Sequence, residues 1–264
     1  MRDRTYPTVI RACKLAFKAL GQRITLEGTD NIPTTGPFLL ASNHISYVDF
    51  IYAGLGANPS GRLVRFMAKR ELFKHRVSGP LMRSMHHIEV DREDGLESYR
   101  KALDYLAAGE AVGIFPEATI SRAFELKDFK TGAARIAGEA GVPLIPVVVW
   151  GTQRLVPKGR KCDFTRGRAI TVRVGAPLHP TGADPAAETA VLKAAMAELL
   201  DTTIRSHPDQ EPGAWWIPAA YGGTAPSLEE ARELEVAERK ARIARRQAER
   251  KARIARRQAE RKKR

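Results

Sequence analysis

The sequence predicts an α/β domain: a mixed, mostly parallel central sheet covered by helices, with an amphipathic helix before it and a basic tail, helical or disordered, after it. Three observations carry this. Seven short apolar runs alternate with segments of helical periodicity, the pattern of strands joined by helical crossovers and covered on both faces. Residues with reactive chemistry follow directly on those runs, where sites in open α/β sheets gather. The charge is unevenly placed: residues 238–264 hold 14 Lys or Arg and three Glu, so they supply +11 of the chain's +14 and everything before them only +3.

The elements read in order as follows. Residues 8–20 are helical, with Val9, Ile10, Cys13, Ala16, Phe17 and Leu20 on one face and Arg11, Lys14 and Lys18 on the other. Such a helix suits an anionic membrane interface, or packs on the domain with its lysines in water; the two are compatible. Strands are expected at 24–27, 38–41, 63–67, 87–90, 111–115, 144–149 and 170–174. Helices are expected at 49–55, 79–84, 95–107, 132–139 and 185–206. The stretch 210–226 is rich in Pro, Gly and Ala and reads as a linker, its Trp215-Trp216 pair either anchored at lipid or folded back. The organisation is thus 1–22 amphipathic helix, 23–209 α/β domain, 210–226 linker and 227–264 tail.

The tail is an internal repeat. Residues 238–248 recur unchanged as 249–259, and a third copy begins at Glu260. Eleven residues make about three helical turns, so equivalent side chains align. The alanine stripe this creates gains apolar bulk only from Ile243 and Ile254, so attraction to a membrane is electrostatic. A solvated helix without a partner, an anionic membrane, and nucleic acid or another acidic partner all fit the charge run. Because the tail dominates the pI, nucleic acid is not implied for the domain.

With 264 residues, 43% of them hydrophobic, the chain has room for one large or two small domains. Cys13 and Cys162, with no CxxC, give neither a metal site nor a disulfide framework, and a reducing compartment is the default. No signal peptide is evident, and no stretch reaches the roughly 18–20 apolar residues that span a bilayer. No cofactor is implied.

The most informative string is Ser42-Asn43-His44-Ile45-Ser46-Tyr47-Val48-Asp49. Histidine is the side chain best suited to taking a proton near neutral pH, and a carboxylate on its other ring nitrogen fixes its tautomer. With no evident serine or cysteine nucleophile, the pair points to a base that activates a substrate hydroxyl. Five residues at about 100° per helical step put the two on different faces of a continuous helix. They meet only if His44 precedes the helix and Asp49 lies in its first turn. Alternatively, Ser46-x-x-Asp49 is a capping box and Asp49 merely caps the helix.

The string resembles the NHxxxxD block of the glycerophospholipid acyltransferases. Three further blocks follow in the family's order. Ala68-Lys69-Arg70-Glu71-Leu72-Phe73 with Ile88-Glu89-Val90-Asp91-Arg92 is similar to the second. Phe115-Pro116-Glu117-Ala118-Thr119-Ile120-Ser121 resembles the third, and Val142-Pro143-Leu144-Ile145-Pro146-Val147 the fourth. The likeness covers about residues 20–180. It implies the glycerolipid acyltransferase fold and transfer of an acyl group from acyl-CoA or acyl carrier protein to 1-acylglycerol 3-phosphate (lysophosphatidic acid). His44 would be the general base and Asp49 its orienting partner, and no metal would take part. It further implies substrate-binding roles for Arg92, Glu117, Lys69, Lys130, Ser121 and Arg122, with Arg92 foremost for the phosphate and Glu117 orienting a cation or the acceptor hydroxyl. Peripheral attachment at the cytoplasmic face of a membrane is the expected location.

Two departures bear on the acceptor. Ala118 replaces a glycine, and Ile120 replaces the arginine that the family uses for phosphate, with Arg122 two residues on as a substitute. His86-His87 stand where small glycines are common, narrowing the pocket or packing. Another lysophospholipid or glycerol 3-phosphate as acceptor, or a silent scaffold that binds through its tail, are the alternatives.

Overall fold

The computed structural model describes Asp3, residues 5–91 and residues 95–262. Its strands are β1 (Arg23–Glu27), β2 (Phe38–Ser42), β3 (Val64–Lys69), β4 (Ile88–Val90), β5 (Ala111–Ile114), β6 (Leu144–Trp150) and β7 (Ala169–Val174). They form one sheet in the order β1-β7-β6-β2-β5-β3-β4. Only β6 and β7 run antiparallel, Val147 opposite Val174; the other neighbours are parallel, with Leu39 of β2 between Val112 and Leu144. The sheet is therefore mixed and mostly parallel, as the sequence pattern predicts.

The helices are α1 (Thr5–Ala19), α2 (Asp49–Gly56), α3 (Arg70–Lys74), α4 (Ser78–Ser84), α5 (Gly95–Ala107), α6 (Gly132–Ala140), α7 (Pro185–Ser206) and α8 (Leu228–Lys262). Of these, α3 was not expected. Five residues are too few for a helical period to register, and its one buried side chain is Phe73.

Successive strand residues feed two cores. Phe38 and Leu40 of β2 join Phe66, Val147, Val149 and Val172 under Tyr52 and Ala53 of α2. Leu39 and Ala41 face the other way, onto Ala102 and Leu106 of α5, Ile136 of α6 and Met196 of α7. A strand covered on both faces has no polar side to show, which explains why β2 reads as a continuous apolar run.

The N-terminal helix lays its apolar side on this domain. Tyr6 is buried, donates to the carbonyl of Val64 at 2.8 Å and meets His87 edge to face, while Phe17 stacks on Tyr52 at 4.9 Å. His87 is itself a packing residue. Its Nδ1 accepts the Phe66 N–H at 3.0 Å, and burial lowers its pKa to about 4, so it stays neutral.

The stretch expected to be a linker is part of the core. Trp216, Ile217 and Ala225 are buried with Trp150, Leu200 and Ile204. The Trp216 ring lies 4.3 Å under the guanidinium of Arg154, and its indole N–H donates to Glu211 at 3.2 Å. Proline and glycine in 210–226 set the turns, but the tryptophan decides the burial. Beyond it, a capping box starts α8: Ser227 N–H donates to Glu230 at 2.7 Å and Glu230 N–H to the Ser227 hydroxyl at 3.2 Å.

Candidate active site

Three neighbouring strands, β6, β2 and β5, deliver the site at their C-terminal ends. Asn43 continues β2 by one residue. Its side-chain amide exchanges hydrogen bonds with the backbone of Val149, at 3.0 Å from Nδ2 to the carbonyl and 2.8 Å from the N–H to Oδ1. The chain then turns away from the sheet at His44.

The two residues the spacing singles out meet. His44 Nδ1 lies 3.0 Å from Asp49 Oδ2, with Asp49 the first residue of α2 and fully buried. A carboxylate at this distance only accepts, so Nδ1 carries the hydrogen and Nε2 is left with a lone pair. The imidazole stacks on Phe115 at 4.2 Å and keeps 20% of its side-chain surface exposed, enough to meet a substrate.

The capping box of the alternative reading forms only by half: Val48 is the N-cap of α2 without a side-chain cap bond, and the Ser46 hydroxyl goes to the Val156 carbonyl, but Asp49 does reach back to the preceding turn. Its Oδ2 accepts the N–H groups of Ile45 at 2.6 Å and Ser46 at 2.7 Å. The same atom therefore fixes the turn before α2 and the tautomer of His44. Its other oxygen, Oδ1, accepts the hydroxyl of Thr152 at 2.6 Å. Thr152 is buried just past β6. Gly151 brings it there with φ of 96°, where a Cβ would stand 2.3 Å from the carbonyl oxygen of Ala169.

Glu117, past the end of β5, is buried and braces the same loop. Oε1 accepts the His44 N–H at 2.8 Å and Oε2 the Lys127 N–H at 3.1 Å. Burial raises its carboxyl to about 8, against the pull of those two amides. The sequence reading gave it a cation or a substrate hydroxyl to orient, yet its hydrogen bonds go to backbone amides. Ser121 joins it, its N–H donating to the His44 carbonyl at 2.7 Å.

The remaining candidates divide. Arg122 is nearby, but its guanidinium is held by Glu238 of α8 at 2.7 Å. Among the described residues, Lys130 is fixed only through its backbone, its N–H donating to the Pro116 carbonyl at 2.9 Å while its side chain is exposed. Lys69 stands exposed at the end of β3. Arg92 lies outside the described residues. The backbone N–H groups along the motif are engaged: those of His44, Ile45, Ser46 and Tyr47 serve Glu117, Asp49, Asp49 and the Val156 carbonyl.

Ala118 and His86 have φ of 59° and 56°. These are left-handed positions that glycine occupies without strain, which gives a physical reason for glycine at both. Thr152 and Lys127 were missed from sequence. Gly151-Thr152, a flexible residue and a hydroxyl at the end of an apolar strand, was the available signal for the first. Lys127 carried none.

A histidine held by a buried carboxylate thus stands at the strand ends of a mixed, mostly parallel α/β sheet. Comparison with known proteins says which class of protein carries it. The family model described as Acyltransferase matches residues 23–150. The 1-acyl-sn-glycerol-3-phosphate acyltransferase of Bacillus subtilis is 35% identical over 151 residues, covering 57% of this chain and 71% of that protein. The chloroplastic 1-acyl-sn-glycerol-3-phosphate acyltransferase LPAT1 of Arabidopsis thaliana is 30% identical over 183 residues, and there the chain spans only 49% of the relative's length. The crystal structure of the 1-acyl-sn-glycerophosphate (LPA) acyltransferase PlsC from Thermotoga maritima superimposes with a TM-score of 0.64 at 27% identity, over 76% of this chain and 83% of that one. The chain belongs to the acyltransferase family.

Proposed function

We propose that this acyltransferase moves a fatty acyl group from a thioester donor, acyl-CoA or acyl carrier protein, to the free hydroxyl of 1-acyl-sn-glycerol 3-phosphate, giving phosphatidic acid. The observation that carries the mechanism is the 3.0 Å contact of His44 Nδ1 with Asp49. It leaves Nε2 as the base. Nε2 takes the proton of the acceptor hydroxyl as the oxygen attacks the thioester carbonyl. Asp49 offsets the positive charge that forms on the imidazole, and the imidazolium then returns its proton to the departing thiolate. The acyl group passes directly between substrates, so the kinetics are sequential.

Arg92, at the end of the second block, is assigned to the acceptor's phosphate on sequence grounds, with Lys69, Lys130 and Arg122, the substitute for the third block's arginine, as further cations that can share it. The chemistry resides in 23–209. Among the described residues no helix is long and apolar enough to cross a membrane. Attachment is assigned to the basic tail acting on the anionic lipid of the cytoplasmic face.

The test is transfer of labelled palmitoyl from its CoA thioester to 1-acylglycerol 3-phosphate, for wild type and His44→Ala. Phosphatidic acid from the wild type and a loss of about 10²-fold or more in the variant support the reading. A folded wild type that makes none overturns the choice of substrates.

A further inference from the structure

The first turns of α8 lie on the loops that flank His44. Lys127 Nζ sits 2.8 Å from Glu235, Arg122 Nη2 sits 2.7 Å from Glu238, and Lys158 Nζ is 3.7 and 3.6 Å from the two glutamates. Three cations thus converge on two carboxylates.

The cations are joined to the catalytic loop by short paths. Lys127 gives its backbone N–H to Glu117, which holds the His44 N–H, and its ammonium to the Thr119 hydroxyl at 2.6 Å. Arg122 follows Ser121, whose N–H holds the His44 carbonyl. Lys158 lies two residues past Val156, whose carbonyl accepts the Tyr47 N–H and the Ser46 hydroxyl.

All three cationic side chains are less than one-fifth exposed, at 15%, 18% and 17% for Arg122, Lys127 and Lys158. Polar atoms beside them go unused: Ser121 Oγ and Arg122 Nε are buried with no hydrogen-bond partner among the described residues. Such atoms are costly to leave unpaired and are answered by a ligand's oxygens.

The hold of α8 here is ionic. Among the residues of α8 whose burial is described, the buried apolar one is Ala231, while Leu234 and Val236 are about half exposed. Residues 228–238 carry five Glu and one Arg, and the helix turns strongly basic immediately afterwards. One helix therefore sets carboxylates against the domain and, further along its sequence, carries a run of Lys and Arg.

We propose that α8 is a strap in which Glu235 and Glu238 occupy, in place of the acceptor's phosphate, the site formed by Arg122, Lys127 and Lys158, and that an anionic membrane frees this site by drawing on the basic continuation of the same helix. Two carboxylates bring the same charge as a phosphomonoester dianion. The strap rests on the function proposed above for the identity of the acceptor, but not for its existence. It lowers apparent affinity for the phosphate by the fraction of time it is closed.

The experiment compares the full-length wild type with Glu235→Gln/Glu238→Gln, which keeps side-chain size and helix. Calorimetric titration with inorganic phosphate is expected to show binding about 3- to 10-fold tighter in the double variant. Adding Lys127→Ala and Lys158→Ala to it should abolish the gain. Equal or weaker phosphate binding in a variant with a wild-type far-ultraviolet spectrum overturns the strap. If the double variant does not fold, either single substitution is expected to give part of the gain, and no gain from either overturns it.

On phosphatidylcholine vesicles the double variant should show an acceptor KM lower by a similar factor and an unchanged donor KM; a fall in the donor KM instead overturns the assignment to the acceptor. Adding phosphatidylglycerol should lower the acceptor KM of the wild type and leave the variant's alone, and equal responses overturn release by the membrane. A wild type that makes no phosphatidic acid on any vesicle defeats the function proposed above, while the phosphate titration still decides the strap.

Discussion

The hydroxyl of Thr152 donates to Asp49 Oδ1 over 2.6 Å, although the two lie 103 positions apart in the chain. It completes a line from His44 through Asp49 to the end of β6. Removing it leaves a buried carboxylate oxygen unpaired. Thr152→Val is therefore expected to lower kcat by about 10-fold, the effect of losing one hydrogen bond to a charged group, with both KM values nearly unchanged. Thr152→Ser should recover most of the rate. Parallel changes in kcat and KM, or no rescue by serine, would show that the hydroxyl only supports the fold.

Asp49 holds two backbone amides as well as the imidazole, whereas His44 holds none through its side chain. The two should fail differently. His44→Ala is expected to abolish transfer while shifting the melting temperature little. Asp49→Ala should abolish transfer and also cost about 2–4 kcal/mol of stability, from the amides and the Thr152 hydroxyl left unpaired. Thermal unfolding of both variants beside the wild type checks this, and equal melting temperatures would contradict it.

Glu117 gives a pH dependence of known sign. Its folded value, about 8, lies above its ordinary 4.5, so in that interval the folded chain keeps a proton that the unfolded chain has released. The resulting stability is fully present below about 4.5 and is lost as pH rises through 8. The melting-temperature advantage of wild type over Glu117→Gln should shrink across that window. Parallel curves would mean that the carboxyl does not titrate there.

At Ala118 the backbone pays for its side chain. With φ of 59°, the Cβ crowds a conformation that glycine adopts freely. Ala118→Gly should stabilise the protein by about 0.5–1 kcal/mol, or about 2 °C in melting temperature for a chain of this size. A lower melting temperature would show that the methyl group earns its place by packing.

Much of the fold was legible because its central strands are buried on both faces. Phe38 to Ala41 have to be apolar at every position, and no helix of that length is marked so plainly. What escaped has physical causes too. The helix α3 is too short to display a period. The 210–226 stretch advertises turns through Pro and Gly, but Trp216 is claimed by Arg154 and Trp150 from outside its own neighbourhood. At the site, His44 and Asp49 were readable because five residues of spacing confine their geometry. Thr152 was not, because its partner is fixed by the order of strands. The cations were the least legible: Lys127 and Lys130 differ by three positions and not at all in chemistry, and only the fold turns the ammonium of Lys127 toward Thr119.

The base stands at the end of β2, which is flanked on both sides by hydrogen-bonded neighbours, while Arg122, Lys127 and Lys158 stand on connecting loops. If the roles proposed for these residues hold, proton transfer is anchored by a strand paired on both sides, and charge recognition is left to connecting segments outside the sheet. A substitution in those segments would then change which anion is welcomed while leaving the transfer step beside it intact.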